Sequence, residues 1–201
     1  NDTTIIDYVS LDYDLSNIPT INGAVHILEN VMELFRPKAK QRIFEFLEEP
    51  LIAEANLNTG TYTFDSEDLE EFEVIKWQGI EEIEYVFSSS NIQGVWNNNY
   101  LEMEGDFIIT YEIPKILPGN YKVYLKANEE YYNNATIQIF LDGKSMGENI
   151  DLTANPSTNS SFNNYEIGQV VFDNYEKHLI RVQTLIPGRF TWDGVMFQPV
   201  N

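Results

Sequence analysis

From residue 51 onward, apolar and polar positions alternate in short runs. In 121–127, Tyr121, Val123, Leu125 and Ala127 alternate with Lys122, Tyr124 and Lys126. In 136–142, Ile137, Ile139 and Leu141 alternate with Gln138 and Phe140. A period of two marks a strand with one buried face and one wetter face, and it suits an antiparallel sheet. The pattern predicts strands over 84–89, 106–113, 121–127, 136–142, 166–172, 178–185 and 189–197. Turn formers punctuate them: Pro118-Gly119-Asn120, Asp142-Gly143, Asp173-Asn174 and Pro187-Gly188. No helical period falls between these strands, which excludes parallel βαβ units. The natural closure is an antiparallel β-sandwich or jelly roll. The fold class is therefore mainly β, with a small N-terminal α/β segment.

That segment has a different rhythm. Residues 1–36 read as a few short strands: one centred on Ile5, Ile6, Val9 and Leu11, and one with Ala24, His26, Leu28 and Asn30 on one face and Val25, Ile27 and Val31 on the other. Pro19 and Asn22-Gly23 supply the turns between them. Residues 37–50 carry the best helical pattern. Pro37 suits a first helical position, Pro50 marks the stop, and Ala39, Ile43, Phe46 and Leu47 fall on one stripe. The expected division is 1–36, a connecting helix over 37–50, and the sandwich over 51–201. Within the sandwich, 65–74 predicts one helical turn capped by Ser66. The polar stretch 152–164 predicts a long loop.

Composition narrows the partners. Apolar residues make up 43%, enough for a core of this size. Thirty-two Asp and Glu against 12 Lys and Arg leave a formal charge of −20. Such a surface repels phosphate backbones and anionic membranes, so nucleic acid is not an expected partner. With no cysteine there is neither disulfide nor thiolate chemistry. No apolar run approaches the roughly 20 residues of a transmembrane span. The chain begins at Asn1 rather than Met, which reads as the start of a fragment.

Candidate catalytic groups do not assemble in the sequence. His26 and His178 fall on different predicted strands, with no paired spacing for a metal and no obvious base partner. The acidic runs at 70–73 and 81–84 read as solvated charge rather than as the two carboxylates of a glycosidase. Nucleophile elbows and phosphate-binding glycine loops are missing. Asn134-Ala135-Thr136 matches the N-glycosylation pattern.

Two resemblances add to this reading. The stretch "NIPTINGAVHILENVM", through Asn22, Gly23, Val25, His26, Ile27 and Val31, resembles the closing segment of a fasciclin domain. It implies that 1–36 is the C-terminal remnant of such a domain, in an extracellular adhesion setting where the histidine is not catalytic. The larger part resembles the galactose-binding-like β-sandwich, and more narrowly is similar to carbohydrate-binding modules of families 6 and 35. Gly105-Asp106, Pro118-Gly119, Asp142-Gly143 and Trp192-Asp193 carry that likeness in order.

The second resemblance implies a sugar site at one end of the sandwich. The candidates are Trp96, Asn97, Asn98, Asn99 and Tyr100 in "GVWNNNYLEM", with Trp192 and Asp193 on the last strand. An aromatic face suits the C–H side of a pyranose, and amides and carboxylates suit its hydroxyls. It also brings in a structural calcium, for which "LIAEANLNTG" offers Glu54; no other cofactor is expected. The expected function is non-enzymatic: a bacterial cell-surface protein, membrane-anchored as a lipoprotein, binding glycan or a cell-surface protein. A structural or docking module without sugar binding is the alternative.

Overall fold

A computed structural model describes residues 18–21, 23–25, 37–129, 134–153 and 161–200. The chain divides into two compact units, Asn1–Pro37 and Lys38–Asn201. In the first, β1 (Ile18–Thr20) and β2 (Gly23–Val25) pair antiparallel, with Ile18 opposite Val25 and Thr20 opposite Gly23. His26 and the expected strand around Ile5–Leu11 lie outside the described residues.

The second unit is built from β3 (Arg42–Phe44), α1 (Pro50–Ala55), β4 (Gly60–Asp65), β5 (Ile75–Gln78), β6 (Glu82–Phe87), β7 (Asn99–Gly105) and β8 (Ile108–Ile116). It continues through β9 (Gly119–Glu129), β10 (Thr136–Leu141), β11 (Lys144–Asp151), β12 (Ser161–Phe172), β13 (Glu176–Ile186) and β14 (Gly188–Pro199). One sheet has the order β11-β10-β13-β8-β5. The other has the order β12-β9-β14-β7-β6-β4, with β3 also paired to β14. Every strand pair is antiparallel.

The alternating apolar positions meet between the two sheets. Tyr121, Val123, Leu125 and Ala127 of β9 face Ile109, Tyr111 and Ile113 of β8 and Ile137 and Ile139 of β10, all buried. Aromatic rings fill the centre: Phe46 lies edge-on to Trp192 at 4.9 Å, and Phe107 stacks on Phe190 at 5.7 Å. Such offset and edge contacts add to the area each ring buries.

All seven predicted strands are present, with shifted ends. The helix expected over 37–50 is not. Arg42–Phe44 is a strand, and the helix begins where the sequence suggested a stop, with Pro50 in its first turn. Phe44 and Phe46 are both buried, whereas Ile43 and Leu47 of the expected helical stripe are 37% and 39% exposed. Two buried residues spaced by two cannot share a helix face, where they lie about 200° apart. A strand accommodates Phe44. The chain then turns through Phe46 at φ 71, an uncommon backbone for an aromatic residue, and its ring enters the core.

The partner strand explains the outcome. β7 pairs with β14 only as far as Trp192, and β3 takes up the same edge at Val195–Phe197. Without β3 those backbone groups would lack ladder partners. The predicted turn near 65–74 is a single 3-10 turn, Asp68–Glu70. Ser66 does not cap it; the Asp65 carboxylate accepts the Glu67 N–H at 2.7 Å, and Asp68 accepts the Asp65 N–H at 3.0 Å. Among the described residues no helix is long and apolar enough to cross a membrane.

Candidate functional site

Between β6 and β7 the chain runs through Ser88–Asn98, eleven residues without a charged side chain. Local hydrogen bonds shape this strap. Asn98 accepts the Ile92 N–H on its side chain at 3.0 Å and the Ser88 N–H on its carbonyl at 2.9 Å. The Ser88 hydroxyl accepts the Ser90 N–H at 3.1 Å. Gly94, Asn97 and Asn98 have φ of 84°, 46° and 62°, a region that glycine and asparagine tolerate best. The asparagine run thus has a conformational reason before any chemical one.

The strap crosses the outer face of the larger sheet. A Cβ on Gly94 would stand 3.4 Å from the Phe162 side chain of β12. The Trp96 N–H donates to Asp193 Oδ2 at 2.9 Å, and Lys126 Nζ lies 3.6 Å from the same oxygen. That ammonium also lies 4.3 Å from the centre of the Trp96 ring, a cation–π arrangement. Beside it, Asn97 Nδ2 donates to Glu45 Oε2 at 2.5 Å. Lys126, Glu45 and Asp193 are all buried.

Asp193 follows inward-facing Trp192 and turns to the outer side of the sheet, at a point where β14 is irregular. The ladder with β9 shifts between Trp192 and Gly194, and β7 gives way to β3 on the other side. Gly194 makes the junction possible, since a Cβ there would stand 2.5 Å from the Phe44 carbonyl oxygen. Burial pushes the Asp193 carboxyl up to about 7, even though the Trp96 N–H and the Lys126 ammonium pull it down. Burial also raises Glu45, against the Asn97 hydrogen bond and Lys126. Desolvation outweighs these partners because a buried carboxylate loses several waters and regains only one or two contacts. Asp193 Oδ1, Glu45 Oε1 and both amide atoms of Asn99 have no protein hydrogen-bond partner.

The seven residues expected at a sugar site therefore separate. Trp192 is a core residue, 0% exposed, packed on Phe46, with its indole N–H donating to the Gly194 carbonyl at 3.0 Å; it does not reach a ligand. Asp193 and Asn99 are 0% and 1% exposed and lie out of a ligand's direct reach. Asn98 spends its amide oxygen on the strap. Asn97 is exposed, and Trp96 and Tyr100 are half-buried.

The Tyr100 ring packs 5.7 Å from Phe162, tilted by 45°. Phe162 falls within 152–164, where the polar composition predicts a loop. β12 starts at Ser161, so Phe162 belongs to a strand. Lys126 and Glu45 were missed because the sequence gives no sign of what will cover them.

The remaining candidates resolve structurally. His178 is 5% exposed, its Nδ1 lies 2.8 Å from Asp142 Oδ2, and its ring stacks on Phe172 at 3.8 Å. A carboxylate only accepts, so Nδ1 carries a proton and the pair ties β13 to the β10–β11 hairpin. Asn134 is buried and donates to the Leu152 carbonyl at 2.7 Å, so it is not presented as a glycosylation acceptor.

Among the described residues, no carboxylate cluster suited to a calcium ion is formed. Glu54 is exposed on α1, and among the described residues no three His, Asp or Glu side chains converge as a metal site requires. At the strap two carboxylates face an ammonium, whereas calcium takes six to eight oxygens. A groove of about 550 Å³ lies elsewhere, between Glu81, Glu82, Glu84, Glu102 and Glu104, with Arg189 paired to Glu102 at 2.6 Å. It offers no aromatic ring to a ligand.

No sequence-family model matches the chain, and no curated protein does. Solved structures resemble it in fold. A xanthan lyase from Paenibacillus aligns at 15% identity and a TM-score of 0.49, over 69% of this chain and 13% of the lyase. A family 35 carbohydrate binding module from Clostridium thermocellum aligns at 12% identity and a TM-score of 0.42, over 70% of this chain and 99% of the module. A family 6 carbohydrate-binding module aligns at 16% identity and a TM-score of 0.42, over 69% and 94%. The protein is an antiparallel β-sandwich with carbohydrate-binding modules among its structural neighbours. These likenesses concern the fold alone.

Proposed function

We propose that this chain is a non-catalytic glycan-binding domain of an exported protein, with the strap and the start of β12 as its binding surface. One observation carries the reading. Trp96, Tyr100 and Phe162 are half-buried aromatic rings, with exposed Asn97 and Asn164 in the same segments, and these segments carry no charge. Rings of this kind stack on the C–H face of a pyranose, and amides donate to and accept from its hydroxyls. Trp96 is held from beneath by Lys126 and Asp193, so little ordering is left for binding.

A non-catalytic role is supported by what the ionisable groups are doing. Asp193 and Glu45 hold the strap, and His178 holds a hairpin. The resemblance of 1–36 to the end of a fasciclin domain supports a cell-surface adhesion setting. A docking module is the second reading, favoured by Leu185 and Ile186, which are 44% and 59% exposed on β13.

Glycan-array screening followed by titration calorimetry of Trp96→Ala and Tyr100→Ala tests the proposal. A single such site is expected to bind in the micromolar to millimolar range, roughly −8 to −4 kcal/mol. Each substitution is expected to weaken binding about tenfold, with calcium and with EDTA alike, as loss of one stacked ring implies. Absence of any glycan ligand, or unchanged affinity in both variants, overturns it.

A further inference from the structure

We infer that the strap surface selects uncharged sugars and turns away uronic and sulfated ones. This rests on the glycan-binding reading and adds the chemical class of the ligand. Recognition of an anionic sugar needs an accessible cation, normally an Arg fork or a Lys ammonium. The cation at this place is Lys126, and it is committed: it is 7% exposed, capped by the Trp96 ring and directed at Asp193. The surface segments Ser88–Tyr100 and Ser161–Asn164 contain no Lys or Arg. What they present is hydroxyl and amide: Ser89, Ser90, Asn91, Gln93, Asn97 and Asn164 are exposed.

The surroundings reinforce the selection. The chain as a whole carries a formal charge of −20. A polyanionic glycan therefore meets repulsion at long range and finds no compensating contact at short range. A neutral glycan meets neither obstacle.

The test is an array of neutral polysaccharides printed beside their acidic counterparts, for example fully methyl-esterified against de-esterified galacturonan and unsulfated against sulfated galactan. Hits are to be titrated at about 20 mM and about 500 mM NaCl, where screening lengths differ severalfold. The expected result is neutral hits whose acidic counterparts bind at least about tenfold more weakly at low salt, with the gap narrowing at high salt. Acidic members binding as tightly as neutral ones, or more tightly, would overturn the selection and leave the glycan-binding reading standing. Silence across the whole array removes that reading, and the selection with it.

The variant Asn91→Arg places a cation at an exposed position of the strap. It is expected to shrink the low-salt gap severalfold, and an unchanged gap overturns the electrostatic account.

Discussion

The backbone N–H of Trp96 donates to the carboxylate of Asp193 across a separation of 97 residues. That contact joins the strap to the last strand and brings Trp96 over Lys126, so an aromatic ring, a buried acid and a buried ammonium act as one unit.

Replacing Asp193 is expected to test that unit directly. At pH 8, Asp193→Ala leaves Lys126 buried without its carboxylate and the Trp96 N–H without its acceptor, a loss of about 3–5 kcal/mol. Asp193→Asn retains an acceptor oxygen and is expected to lose less than half as much. Urea denaturation of the two variants reads the difference; equal and small losses would mean that the strap is held by other contacts.

Stability is expected to fall as pH rises. Asp193 is pushed up to about 7 by burial, while an unfolded Asp titrates near 3.9. Between those values the folded state holds a proton that the unfolded state has released, so ∂ΔG/∂pH is negative through that window. The stabilisation is fully present below about pH 4 and is lost as pH passes 7. Raised Glu45 acts in the same direction. Melting curves from pH 5 to 8 should show the decline in the wild type and a flatter profile in Asp193→Asn; parallel profiles would contradict the assignment.

Trp192 and Trp96 are expected to separate stability from binding. Trp192→Ala empties a fully buried core position and should lower stability by about 3–5 kcal/mol. Glycan affinity per folded molecule should not change. Trp96→Ala should do the reverse in emphasis, weakening affinity more than stability. Guanidinium denaturation alongside calorimetry reads both; a Trp192 variant that stays folded but loses its ligand would return that residue to the site.

Gly194 is expected to accept no side chain. An added Cβ would stand 2.5 Å from the Phe44 carbonyl oxygen, a backbone atom that can yield only by moving β3 away from β14. Gly194→Ala should cost about 1–3 kcal/mol, as overpacking does. Amide exchange at Val195–Phe197 should quicken as that ladder loosens, and unchanged exchange there would argue against the junction.

Much of the sandwich was legible along the chain. The alternation in β9, β10 and β13 survives because each inward residue there faces the core, and the turns at Asp142-Gly143 and Pro187-Gly188 are local matters. β11 escaped notice because it is an edge strand whose residues are mostly exposed, so no apolar rhythm was required of it. β4, also at an edge, has the same weak pattern. The strap could be read as a loop bearing aromatics and amides; Trp96 and Asn97 lie on it, with Tyr100 just beyond it in β7.

By itself, then, the sequence determined the period of the strands, the places of the turns and the acidity of the surface, since each depends on near neighbours or on simple counting. Tertiary structure decided the rest. Whether 37–50 became helix or strand depended on the open edge of β14 from Val195 to Phe197. Whether Trp192 or Trp96 faced solvent depended on a shift in one ladder and on a strap laid across it. Burial of Asp193 and Lys126 arises only when segments distant in the chain meet, because covering a charge is a property of the surroundings and not of the residue.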